Sequence, residues 1–103
     1  MKTWMEAHVS WVSYDKGGRE KHMPANAKYC PIIVFPGEKM NGTWSAEILV
    51  KSVIDNNEST IDISFLFDDA PFELLKPGAD FELYEGSKLV AKGVMVKKID
   101  VKF

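Results

Sequence analysis

The chain has 103 residues, of which 46% are hydrophobic and 27% charged, with 7 Gly and 5 Pro. This composition suits one small packed domain and excludes a disordered or collagen-like chain. The formal charge of −2 argues against a generally basic nucleic-acid binder, leaves room for a local basic patch, and names no activity.

In chain order the dominant pattern is period two, which sends alternate side chains to opposite faces of a strand. Met1 to Glu6 contains no apolar run and does not resemble a signal peptide. Met5, Ala7, Val9 and Trp11 then alternate with Glu6, His8 and Ser10. Lys16-Gly17-Gly18 ends that strand, and a shorter one is expected from Tyr29 to Phe35, followed by a Pro36-Gly37 turn. After Asn41-Gly42, the residues Trp44, Ala46, Ile48 and Val50 alternate with Ser45, Glu47 and Lys51. Asp55-Asn56-Asn57 reverses the chain into Ile61, Ile63, Phe65 and Phe67, which alternate with Thr60, Asp62 and Ser64.

Asp68 to Lys76 is the one stretch suited to a turn of helix, with Asp68 or Asp69 as cap and Pro71 in its first turn. Pro77-Gly78 leads to a strand from Asp80 to Tyr84, and Glu85-Gly86 to a last one from Lys88 to Lys98. About six short strands at near-regular spacing predict an all-β fold, an antiparallel sandwich or barrel. The expected interior is Val9, Trp11, Ile48, Val50, Ile63, Phe65, Phe81, Leu83 and Val94. No repeat, linker or low-complexity tract divides residues 1–103, so a single domain is expected.

Charge is uneven along the chain. Residues 1–30 and 81–103 each carry five basic and three acidic side chains, whereas 51–80 carries two and seven. The acidic middle, including Asp68 and Asp69, is a candidate face for a basic partner. Lone Cys30 forms no intrachain disulfide, which suits the cytoplasm, and the apolar run Ile32-Ile33-Val34-Phe35 is too short for a membrane-spanning helix.

Recognisable chemistry is sparse. There is no phosphate-cradling Gly-x-x-x-x-Gly-Lys-Ser/Thr loop, so neither GTP binding nor hydrolysis is expected. His8, His22 and Cys30 match no zinc spacing, and neither Ser nor Cys sits in a nucleophile elbow. No cofactor, metal or catalytic residue is assigned, and the chain is expected not to be an enzyme.

Three segments, in order, carry a resemblance. Glu6-Ala7-His8-Val9 followed by Asp15-Lys16-Gly17-Gly18-Arg19 comes first, then Lys28-Tyr29-Cys30-Pro31, then Phe81-Glu82-Leu83-Tyr84-Glu85-Gly86-Ser87-Lys88 running on to Gly93-Val94. Together they resemble the C-terminal β-barrel domain of elongation factor Tu across nearly the whole chain. The resemblance implies a six-stranded antiparallel β-barrel, with Arg19 and the hairpin tip Glu85, Gly86, Ser87 and Lys88 as ligand-facing positions. In that family the domain helps hold aminoacyl-tRNA and touches protein partners, while a separate domain binds GTP.

Tyr84, Glu20, Ile32 and Cys30 stand where the family carries basic or polar residues, which removes cations that would attract phosphate. The expected function is therefore a non-enzymatic binding module for a protein partner, with an immunity or antitoxin protein as one concrete form. The alternative is an RNA-binding or tRNA-binding accessory of translation, using Arg19, Lys21, His22, Lys28, Lys88 and Lys92 as its phosphate-contacting patch.

Overall fold

Alternating apolar residues commit most of this chain to strands, and in the computed structural model those strands close into a barrel. The structure describes residues 3–12, 28–38, 43–54 and 57–99. They form β1 (Trp4–Trp11), β2 (Lys28–Tyr29), β3 (Ile32–Val34), β4 (Trp44–Val53), β5 (Glu58–Phe65), β6 (Asp80–Glu85) and β7 (Lys88–Ile99), with a short 3-10 turn at Phe72–Leu74. Every pairing is antiparallel. The ring runs β1-β5-β4-β3-β6-β7 and returns to β1, with β2 outside it on β4. This is the expected six-stranded antiparallel β-barrel, in which closure removes the open edges that an unpaired sheet would present.

The segment expected as one strand from Tyr29 to Phe35 is two. Tyr29 faces Ile48 and Ile32 faces Ser45, so β2 and β3 keep one continuous register along β4. Between them Pro31 has no N–H to donate, yet its carbonyl still accepts from the Ala46 N–H at 2.8 Å. The proline therefore removes one donor and leaves the register intact.

Inward positions follow the alternation: Met5, Ala7 and Val9; Ala46, Ile48 and Val50; Ile61, Ile63 and Phe65; Phe81 and Leu83 are all buried. Phe65 centres an aromatic cluster, its ring 6.2 Å from Phe35, 6.3 Å from Trp44 and 5.5 Å from Phe72, the last two edge-on. Such tilted and edge-on contacts suit the ring quadrupoles.

Four expectations are corrected. Val94 does not point inward: it faces His8 across β1, while Gly93 faces Val9 and Phe81, and Met95 faces Ala7. The interior of β7 is thus Val90, Ala91, Gly93 and Met95, and the missing side chain at Gly93 makes room for Phe81. Trp11 is only half-buried, because it lies at the barrel mouth. Phe67 lies beyond the end of β5 and is 54% exposed. Finally, the turn at Phe72–Leu74 is preceded by Pro71 and has no side-chain cap, so neither Asp68 nor Asp69 fulfils the capping role.

Candidate functional site

The hairpin between β6 and β7 presents the four described positions that the resemblance singles out. Glu85 and Lys88 face each other across the ladder, with Gly86 and Ser87 as the two-residue loop. Gly86 has φ of 62°, the left-handed conformation that tight hairpins require and that glycine adopts without a Cβ clash. All four residues are exposed. Arg19, Lys21 and His22 lie outside the described residues.

Beneath the tip, two aromatic side chains close this end of the barrel. The Tyr29 hydroxyl donates to the Glu85 carboxylate, tying β2 to the hairpin. Trp11 packs 6.2 Å from the Tyr29 ring and donates from Nε1 to Ser59 Oγ at 3.0 Å. Lys28, Lys88 and Lys92 are exposed on this side. Two of these cations stand opposite carboxylates, Lys88 facing Glu85 and Lys92 facing Glu82, which lowers the net positive potential available to a phosphate.

Asp68 and Asp69 are not part of this surface. The strand β5 begins at Glu58, opposite Ser10 near the barrel mouth, and ends at Phe65 opposite Ala46. The two aspartates follow Phe65 and so lie at the other end of the barrel. Both are exposed, as are Glu73 and the preceding Phe67 at 54%. Among the described residues, Asp68, Asp69 and Glu73 make no ion pair. The two sets of candidate residues therefore occupy opposite ends.

A charged cluster that local sequence did not announce lies on the outside of β1, β5 and β4. The β4 register slips between Val50 and Ser52, and the bulged Lys51 reaches Glu6 Oε1 at 3.1 Å and Asp62 Oδ1 at 3.4 Å. The hydrogen bond to Glu6 raises the Lys51 pKa above its ordinary 10.5, burial opposes that shift, and Asp62 reinforces it. Asp62 is 8% exposed and its Oδ1 has no well-aligned hydrogen bond, so the Lys51 contact there is chiefly Coulombic. On β6, across the barrel from β5, Tyr84 donates to Glu82 at 2.9 Å, and this bond raises the phenol pKa.

His8 Nε2 lies 3.6 Å from Glu58 Oε1, and Cys30 is exposed. Among the described residues, no group of three His, Cys, Asp or Glu side chains is arranged to hold a metal ion. A pocket of about 180 Å³, lined in part by Trp4, Lys28, Cys30, Glu47 and Leu49, runs between the start of β1 and β2. No helix among the described residues is long and apolar enough to cross a membrane.

These features define an antiparallel six-stranded β-barrel with one strand outside. No protein-family model matches the chain, and no curated protein matches its sequence.

Proposed function

We propose that this barrel is a non-enzymatic, cytoplasmic binding module whose partner is a protein with a basic surface. The carrying observation is the asymmetry between its two ends: lysines near the hairpin face glutamates across the ladder, whereas exposed Phe67 is followed in the chain by exposed Asp68, Asp69 and Glu73, which make no ion pair among the described residues. An exposed aromatic side chain on a segment with excess negative charge suits a protein interface, because the ring supplies buried area and the charges steer a complementary partner. An immunity or antitoxin protein held against a basic toxin is one form of this reading. The resemblance to the elongation factor Tu barrel supports the scaffold, and GTP is not among the proposed ligands.

The second reading is an RNA-binding accessory. Lys28 and Lys88 favour it, because the Tyr29–Glu85 contact draws their strands together.

Capture from cell lysate separates the two. Immobilised wild-type chain should retain a basic protein, and D68K/D69K should reduce that capture at least tenfold while K88A leaves it within twofold. RNA retained by the wild type, released by moderate salt and weakened by K88A, would favour the second reading. Equal capture of the protein by D68K/D69K would remove the acidic end from consideration.

A further inference from the structure

We draw no further inference here: the strongest candidate, the pocket between Trp4 at the start of β1 and β2, joins partly apolar walls to the lone exposed Cys30, and nothing in the structure shows what would fill it.

Discussion

Gly93 differs in kind from the turn glycines. Gly37, Gly78 and Gly86 have positive φ and open space where a Cβ would project, so their requirement is conformational. At Gly93 a Cβ would sit 2.5 Å from Phe81 Cζ, 2.8 Å from the His8 carbonyl oxygen and 2.8 Å from Val9 Cγ1. The phenylalanine can tilt only into a filled core, and the carbonyl belongs to the β1 ladder. G93A should therefore destabilise the barrel by about 1–3 kcal/mol, the range for overpacking, and lower the urea midpoint without changing the slope. A midpoint equal to that of wild type would mean that Phe81 has room to move. G86A tests the other kind of glycine. Its cost should be about 1–2 kcal/mol, the penalty for an L-residue in the left-handed region, with the hairpin register preserved in cross-strand nuclear Overhauser contacts. A stability unchanged by this variant would contradict the positive φ.

At the scale of elements, bulges decide where side chains go. The slip at Lys51 aims an ammonium across β5 to Glu6, holding three strands together from outside. Because the Lys51 pKa is raised in the folded state above 10.5, its contribution to stability is complete below the unfolded value. It disappears as pH climbs through the higher folded value. K51M should accordingly be less stable than wild type at neutral pH, and the gap should close in strongly alkaline solution, as read by urea midpoints across that range. The raised Tyr84 phenol loses its contribution in the same direction, but it is present in both proteins and cancels in the difference. A gap that stays constant through alkaline pH would show that Lys51 acts by packing alone. The slips in β7 have a similar consequence. One lies opposite Leu83 and Tyr84, the other opposite Glu6 and Ala7, and between them they keep Ala91, Gly93 and Met95 inward.

For the whole molecule, closure makes stability uneven. Each of the six ring strands is paired on both sides, whereas β2 contributes two residues and pairs with β4. Amides of β5, a strand buried on both faces from Ile61 to Phe65, should exchange with solvent only through global unfolding. The Tyr29 amide should exchange through a smaller opening that depends weakly on denaturant. Hydrogen exchange measured over sub-denaturing urea checks this. Equal denaturant dependence for Tyr29 and Ile63 would make β2 part of the same cooperative unit. The same scale governs binding: the two ends of a rigid barrel are independent surfaces, so the effects of D68K/D69K and K88A should add when they are combined.

Period-two alternation by itself determined the strand content. Met5 to Trp11, Trp44 to Val50 and Ile61 to Phe65 are legible because each segment has one face that must leave water, and Asn, Gly and Pro mark where the chain can reverse. The hairpin tip was legible for the same local reason, since Glu85-Gly86 needs only four residues to specify its turn. Register was not legible. Val94 reads as an inward residue until bulges elsewhere in β7 set its phase, and Phe67 continues an alternation that β5 no longer follows. Only the tertiary structure placed Asp68 and Asp69 at the opposite end from Glu85 and Lys88, or brought Lys51 to Glu6 and Asp62. Those relations depend on which strands become neighbours when the sheet closes. Closure is decided by long-range pairing and by the fit of side chains such as Phe81 over Gly93, quantities that no local window of sequence contains.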